Sequence, residues 1–153
     1  MPEVLIVCTA NIRRSPMAQA LLADRLQRAD PGTDWRVTSA GVWARAGDLA
    51  SEGGRAAMAL RELDLRDHRS QPVTGTLLER ADLILVMAND HREALLADFP
   101  GLEGRVYLLS EMAGKSHDVE DPYGGPVEGY ERTAAELEAL IDQGLDRIMA
   151  LAN

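Results

Sequence analysis

The chain has 153 residues, of which 46% are hydrophobic and 27% are charged, and its formal net charge is −9. These proportions exclude a disordered protein, and the longest aliphatic runs, such as residues 83–86, are too short to span a bilayer. The acidic balance disfavours broad contact with nucleic acid or a membrane surface, so any phosphate-binding site must be local. A chain of this length buries roughly 70% of its unfolded surface, and we expect one domain covering residues 1–153.

The sequence contains one cysteine, Cys8. A single cysteine excludes an internal disulfide and a zinc site made of several thiolates. Residues 1–3 lead directly into an apolar run, without the positively charged and long apolar segments of a secretory signal. We therefore expect the protein to act in the reducing cytoplasm.

Strand-like and helix-like segments alternate along the chain. Runs rich in Val, Ile and Leu predict strands at residues 4–7, 35–40, 83–87 and 106–109. Apolar residues at helical spacing predict helices at residues 16–26, 56–63, 90–99 and 127–152. The alternation predicts an α/β fold in three layers, with a parallel sheet between helices on both faces. The loosest stretch, residues 110–129, is a loop whose length in a compact domain usually indicates a functional role.

The turn after the first strand carries the candidate chemistry. It is Cys8-Thr9-Ala10-Asn11-Ile12-Arg13-Arg14-Ser15-Pro16, at the carboxyl end of a strand, where open α/β sheets bind ligands. Ser15 is a good N-cap and Pro16 suits the first helical position, so we expect a helix to begin there with unpaired N–H groups facing the turn. Five residues separate Cys8 from Arg14, which lets a tight loop surround a tetrahedral oxyanion. Arg14 would hold two oxygens through its planar guanidinium, and the loop amides would hold the others.

Cys8 is predicted to be a nucleophile at the base of this loop. A helix N-terminus and a nearby guanidinium favour the thiolate form of a cysteine at neutral pH without a histidine base. Judged alone, a cysteine at the end of a strand is more often a small buried hydrophobe. The fixed offsets of Arg14, Ser15 and Pro16 behind a strand favour the nucleophile.

The segment Val-Cys-x-x-Asn-Ile-x-Arg-Ser-Pro-Met-Ala, residues 7–18, resembles the start of the low-molecular-weight protein tyrosine phosphatases. The resemblance continues over essentially the whole chain, through residues 39–41, 68–70, 82–87 and 121–125. It implies a four-stranded parallel sheet and a bacterial enzyme that hydrolyses phosphotyrosine in protein substrates through a phosphocysteine. It also implies that no metal or other cofactor takes part. We further expect a monomer.

A general acid must protonate the departing oxygen, and the turn itself offers none. Asp121 precedes a proline, which favours an extended backbone from which its side chain projects. From composition alone Asp118 and Glu120 are equally available, and the resemblance places the general acid at Asp121. It also implies that Asp121 later takes a proton from water, and that Ser15 stabilises the departing thiolate of Cys8.

Other residues are candidates for supporting roles. Asn11 tolerates a left-handed backbone, and the resemblance suggests that Ser39 and His68 hydrogen-bond to it. Trp43 and Tyr123 match the aromatic walls of the family's substrate site, although each also fits an ordinary exposed aromatic residue. Ile12 matches a position that lines the pocket.

The chain departs from the family pattern at two positions of the loop. Ala10 replaces the usual glycine, which would strain the loop if residue 10 had a positive φ. Arg13 replaces a second cysteine that many members carry, so an oxidised Cys8 has no partner for an intramolecular disulfide. Arg13 either adds positive charge beside the site or points to solvent, and the sequence leaves both open.

The loop recognises the phosphate and not the group attached to it, so the sequence constrains the substrate less. The family includes bacterial protein-arginine phosphatases, and residues 118–130 are similar to those members. They carry a polar threonine where this chain has Ile12, and an apolar wall suits an aromatic ring. Related arsenate reductases need further cysteines, which this chain lacks. An alternative of another class is a phosphate-binding module without turnover, which Cys8 together with Ser15 and Asp121 disfavours. A second is a flavodoxin-like cofactor binder, which has no use for a reactive cysteine.

Overall fold

Four parallel strands form the central sheet of the protein. The computed structural model describes residues 1–153, and the strand order is β2-β1-β3-β4. The strands are β1 (Glu3–Cys8), β2 (Arg36–Gly41), β3 (Leu83–Val86) and β4 (Val106–Leu108). Every residue of β1 and β3 is buried, as expected where helices cover both faces of a parallel sheet. This confirms the predicted α/β fold.

Six α-helices cover the two faces of the sheet. They are α1 (Arg14–Ala29), α2 (Glu52–Ala59), α3 (Gly75–Arg80), α4 (Asn89–Asp98), α5 (Leu109–Met112) and α6 (Val127–Ala152), with a short 3-10 turn at Pro100–Leu102. Val4, Ile6 and Cys8 of β1 pack in the larger apolar cluster with α1, α2, α5 and α6. Leu5 and Val7 face a smaller cluster with α3 and α4. None of these helices combines the length and the apolar character that a bilayer crossing requires.

Most elements with a long apolar pattern are found where they were predicted, and α6 has its predicted bounds. The helix predicted at residues 56–63 is wrong in its second half, because α2 ends at Ala59 and a turn follows in which Glu62 has a φ of 60°. The short helices α3 and α5 were not predicted, because neither is long enough to show a helical period. The predicted N-cap at Ser15 is wrong. Helix α1 begins two residues earlier than predicted, at Arg14, and Arg13 is the N-cap residue. The Ser15 hydroxyl instead contacts side chains of the preceding turn.

Candidate active site

The loop of residues 9–13 joins β1 to α1, and we call it the phosphate loop. It is held against the end of β2, where the backbone N–H groups of Val42 and Trp43 donate to the carbonyls of Cys8 (3.0 Å) and Thr9 (2.9 Å). Gly41 lies at the point of closest approach. A Cβ atom on Gly41 would lie 2.4 Å from the Thr9 carbonyl oxygen, so only glycine fits there. The sheet thus fixes the position of the loop backbone.

Cys8 ends β1 at the base of this loop, and only 2% of its surface is exposed. Its sulfur lies 2.9 Å from Ser15 Oγ. Ser15 Oγ accepts a hydrogen bond from Asn11 Nδ2 at 2.8 Å, so its own proton is free to point at the sulfur. The side chain of Cys8 is therefore buried beside a hydroxyl donor, which stabilises a thiolate.

Asn11 organises the loop from within. It is completely buried and has a φ of 60°, a left-handed conformation that asparagine tolerates well. Its Nδ2 donates to Ser15 and Ser39, and its Oδ1 accepts from the backbone N–H of Gln71 at 3.0 Å. Ala10 has no positive φ, so the missing glycine causes no strain at that position.

His68 and Ser39 support Asn11 from outside the loop. His68 Nε2 donates to the Asn11 carbonyl at 2.7 Å, and Ser39 Oγ, which accepts from Asn11, donates to Gln19 at 2.6 Å. Burial lowers the pKa of His68, partly opposed by its bond to the Asn11 carbonyl and aided by the charge of Arg69. The imidazole is thus neutral at pH 7, with its proton on the nitrogen that faces the loop.

Arg14, at the start of α1, presents donors to the loop. Its side chain is buried, Nη1 donates to the Val119 carbonyl at 2.9 Å, and Nη2 donates to Thr9 Oγ1 at 3.3 Å. Its Nε is buried and has no hydrogen-bond partner. The backbone amides of residues 9–13 make no hydrogen bond within the chain. A buried guanidinium and unpaired amides around one turn are the donor set that binds a tetrahedral oxyanion.

His91, at the start of α4, belongs to this network, although no ligand or catalytic spacing in the sequence predicts a role for it. Its Nδ1 accepts from the Ala88 amide at 3.1 Å, so the proton is on Nε2, which donates to Thr9 Oγ1 at 2.8 Å. Burial, with the charge of Arg14, lowers the pKa of His91 to about 4. A neutral donor therefore holds Thr9, which in turn holds Arg14. The available signal was its position just after β3, at the edge of the sheet where the loop also lies.

Asp121 is the only one of the three candidate acids that contacts the side chains of the phosphate loop and Arg14. Its carboxylate accepts two hydrogen bonds from Arg13, at 2.8 and 3.2 Å, and lies 3.7 Å from Arg14 Nη2. Asp118 instead caps α4 through the Asn89 amide at 2.9 Å, and Glu120 is exposed. Burial tends to raise the pKa of Asp121, but the Arg13 hydrogen bond and the charge of Arg14 outweigh it and hold this pKa below its ordinary value.

The aromatic candidates lie at the rim of the loop. Tyr123 is 75% exposed, and the guanidinium of Arg13 lies 4.7 Å from the centre of its ring. Trp43 is 86% exposed, and only its backbone bonds to the phosphate loop. Ile12, within the phosphate loop, is half-buried, and its carbonyl accepts from the Ser51 amide at 2.8 Å. Because Arg13 bonds to Asp121, its side chain does not point to solvent. No group of three or more His, Cys, Asp or Glu side chains is arranged to hold a metal ion.

Comparison with known proteins points in the same direction as this geometry. The family model described as low molecular weight phosphotyrosine protein phosphatase matches residues 3–151. A probable low molecular weight protein-tyrosine-phosphatase of Ralstonia solanacearum is 40% identical over 97% of this chain and 97% of its own length. A protein-arginine-phosphatase of Bacillus subtilis is 37% identical over 92% of this chain and 93% of its own length. The crystal structure of a low molecular weight protein tyrosine phosphatase from T. tengcongensis matches with a TM-score of 0.90 at 37% identity, covering 96% of this chain and 99% of that one.

Proposed function

This chain belongs to the low-molecular-weight phosphotyrosine protein phosphatase family, and we propose that it hydrolyses phosphotyrosine in proteins through a phosphocysteine formed on Cys8. One observation carries the proposal. The sulfur of Cys8 lies 2.9 Å from the Ser15 hydroxyl oxygen, at the base of a loop whose backbone amides are unpaired, and the neighbouring Arg14 Nε is unpaired as well. That arrangement stabilises a thiolate and a phosphoryl group in the same place.

In the first step the Cys8 thiolate attacks phosphorus and the bond to the phenolic oxygen breaks. Arg14 and the loop amides hold the non-bridging oxygens, so the negative charge that develops on them is stabilised without a cation. Asp121, in its protonated form, gives its proton to the departing phenolate. The products are tyrosine, the phosphocysteine and the Asp121 carboxylate.

In the second step a water molecule attacks the phosphocysteine. The Asp121 carboxylate takes a proton from this water, the sulfur–phosphorus bond breaks, and inorganic phosphate forms. The electron pair of that bond returns to the Cys8 sulfur. Ser15, whose proton is directed at the sulfur by Asn11, stabilises the thiolate as it leaves.

An aryl phosphate is favoured over phosphoarginine by the charges around the site. Two carboxylates of the loop that bears the acid are already engaged, Asp121 by Arg13 and Asp118 by the Asn89 backbone amide, and the third, Glu120, is exposed. The half-buried Ile12 is apolar. A phosphoarginine side chain carries further N–H donors, which need acceptors when they are desolvated. The similarity to a protein-arginine-phosphatase makes phosphoarginine the second candidate.

The test compares two phosphopeptides of the same sequence, one with phosphotyrosine and one with phosphoarginine, without added metal. We expect the wild type to have the higher kcat/KM on phosphotyrosine and Cys8→Ser to have no turnover on either. Ile12→Thr is expected to reduce the ratio of the two kcat/KM values about tenfold, since one apolar contact in a pocket contributes roughly that much discrimination.

A wild-type preference for phosphoarginine would replace the first candidate by the second. Phosphate binding without turnover of either peptide by the wild type would identify a binding module instead. Leu49→Ala, which changes an exposed apolar residue outside the phosphate loop, is the matched control for Ile12→Thr and is expected to leave the ratio unchanged.

We also propose that the enzyme acts in the bacterial cytoplasm as a monomer. A reduced Cys8 is required for the reaction, and the chain has no second cysteine that could protect it. The nucleophile, its hydroxyl partner and the acid are brought together by contacts within the chain, as activity of a monomer requires.

A further inference from the structure

We infer that Arg13 is a positioning residue for this reaction: its guanidinium holds the Asp121 carboxylate and the Tyr123 ring against the phosphate loop. The acid and one aromatic wall of the substrate site are thereby docked as a unit. This inference presupposes the phosphatase reaction proposed above. Arg13 lies in the phosphate loop, but it acts on the reaction through Asp121 and Tyr123.

The geometry is that of a fork with two different partners. Arg13 Nε and Nη2 donate to the two oxygens of Asp121, at 2.8 and 3.2 Å, which fixes the orientation of the carboxylate. The guanidinium also lies 4.7 Å from the centre of the Tyr123 ring, within the range of a cation–π contact. The Tyr123 amide donates to Asp121 at 3.2 Å and closes the turn between them. One side chain therefore connects both functional residues of the segment that precedes α6.

Arg13 is held at the start of a long helix. Arg13 is the N-cap residue of α1, immediately before Arg14, and 14% of its side chain is exposed. The segment that it holds has no helix or strand between α5 and α6. Within it, the Val119 amide donates to the carbonyl of Met87, just after β3, and the Val119 carbonyl accepts from Arg14 of α1. The Asp121 carboxylate accepts hydrogen bonds only from Arg13 and from the Tyr123 backbone amide.

Several other charged or titratable groups lie around Asp121. Arg14 of α1 lies 3.7 Å away, and His91 of α4 is neutral at pH 7. Asp118 and Glu120 lie on the same loop, and Arg132 and Glu136 of α6 line the cavity beside it. None of them hydrogen-bonds to the carboxylate, so among the charged side chains Arg13 has the largest influence on its protonation and its direction.

The contact affects the two steps in opposite directions. Asp121 must carry a proton to act in the first step, and a bound guanidinium favours the ionised carboxylate. As the pH rises, Asp121 therefore loses its proton at a lower pH than it would without Arg13, and the rate of the first step begins to fall at that lower pH. In the second step the carboxylate is the required form, and Arg13 presents it already ionised and oriented.

The experiment measures kcat/KM from pH 4 to pH 8 with phenyl phosphate and 4-nitrophenyl phosphate, whose leaving groups differ in their need for an acid. Arg13→Met is expected to move the descending limb of the profile up by about one pH unit. At its optimum pH it should lower kcat/KM about tenfold for phenyl phosphate and much less for 4-nitrophenyl phosphate, because a misplaced acid costs more for the poorer leaving group. Arg13→Lys keeps the charge but cannot donate to both carboxylate oxygens in the same geometry. The descending limb should therefore move less than in Arg13→Met, whereas kcat/KM should still fall more for phenyl phosphate than for 4-nitrophenyl phosphate.

Two controls separate positioning from other roles. In an Asp121→Asn background, Arg13→Met should change neither the limb nor the dependence on the leaving group, because Arg13 then has no acid to position. Arg28→Met removes an arginine that pairs with Asp24 at the other end of α1 and should behave as wild type. Circular dichroism of each variant shows whether it is folded, and Arg13→Lys tests the inference if Arg13→Met is not.

The inference is overturned if Arg13→Met and Arg13→Lys keep the wild-type limb and leaving-group dependence, or if Arg13→Met has the same effect with Asn at position 121. The latter result would mean that Arg13 only attracts the phosphate through its charge. Failure of the proposed function has a different signature, which is a wild type without turnover that depends on Cys8.

Discussion

Asn11 Nδ2 donates to Ser15 Oγ at 2.8 Å, and this bond determines where the Ser15 proton points. The hydroxyl oxygen is occupied as an acceptor on the side of Asn11, and the sulfur of Cys8 lies 2.9 Å away on the other. The second proton of the Asn11 amide is used by Ser39, which itself donates to Gln19. Each donor in this hydrogen-bond network thus has one available acceptor, and for the Ser15 hydroxyl that acceptor is the sulfur of Cys8.

Ser15→Ala removes the donor to the sulfur. We expect kcat to fall about tenfold or more, because a hydrogen bond to a charged group contributes roughly 1.5–3 kcal/mol and the thiolate is the leaving group of the second step. Rapid mixing with 4-nitrophenyl phosphate should show a burst of nitrophenol as the phosphocysteine accumulates. Ser116→Ala changes an exposed serine and is the control. A wild-type kcat in Ser15→Ala would contradict the assigned direction of the proton.

Asn11 combines a positive φ with side-chain bonds, and two substitutions separate these contributions. Asn11→Gly keeps the backbone conformation and loses the bonds to Ser15, Ser39 and the Gln71 amide, whereas Asn11→Ala also adds strain. The alanine variant should be less stable than the glycine variant by about 1 kcal/mol in urea unfolding. Equal stabilities would mean that the backbone relaxes at this position. Both variants should lose most activity, because Ser15 is no longer oriented.

Gly41→Ala tests the contact between β2 and the phosphate loop. The new Cβ would lie 2.4 Å from the Thr9 carbonyl and 2.8 Å from the Ala44 Cβ, so the loop must shift. We expect a loss of about 2 kcal/mol in the free energy of unfolding and a larger proportional loss of kcat/KM. Gly32→Ala is the matched control, because its Cβ would meet no atom within 4 Å. A Gly41→Ala variant with wild-type activity would show that the loop tolerates displacement.

The neutral histidines make stability depend on pH in a defined window. His91 has a pKa of about 4 in the folded protein and about 6.5 in the unfolded chain, so the unfolded chain binds more protons between these values. The free energy of unfolding should therefore be highest above pH 6.5 and fall as the pH drops toward 4. His68, whose pKa is also lowered by burial, acts in the same direction from pH 6.5 downward.

Urea unfolding at pH 7 and pH 5 measures this effect. The wild type should lose on the order of 2 kcal/mol for His91 between these values, at about 1.4 kcal/mol per pH unit below 6.5. His91→Gln removes the titrating group and should lose correspondingly less. An equal loss in His91→Gln and wild type would show that other groups account for the pH dependence.

The strands, the long helices and the phosphate loop were predictable because local pattern determines them. The apolar run before Cys8 and the spacing of Cys8, Arg14 and Ser15 need no information from the rest of the chain. The position of Asn11 in the left-handed region was similarly indicated by its residue type, and the structure has it there.

The contacts that the sequence left open join distant parts of the chain. Arg13 and Asp121 are 108 positions apart, and Thr9 and His91 are 82 apart, so no local pattern indicates that they meet. The N-cap prediction at Ser15 failed for a related reason, since its hydroxyl is used by Cys8 and Asn11. At a functional site, local preferences yield to such contacts.

The nucleophile and the acid lie in parts of the molecule with very different resistance to local opening. Cys8 ends β1, which is wholly buried and hydrogen-bonded to a strand on each side, whereas Asp121 lies in an irregular segment. Amide exchange should be slowest in β1 and fast around Asp121. On warming, turnover should therefore be lost while Cys8 is still shielded from alkylating reagents, so inactivation precedes global melting.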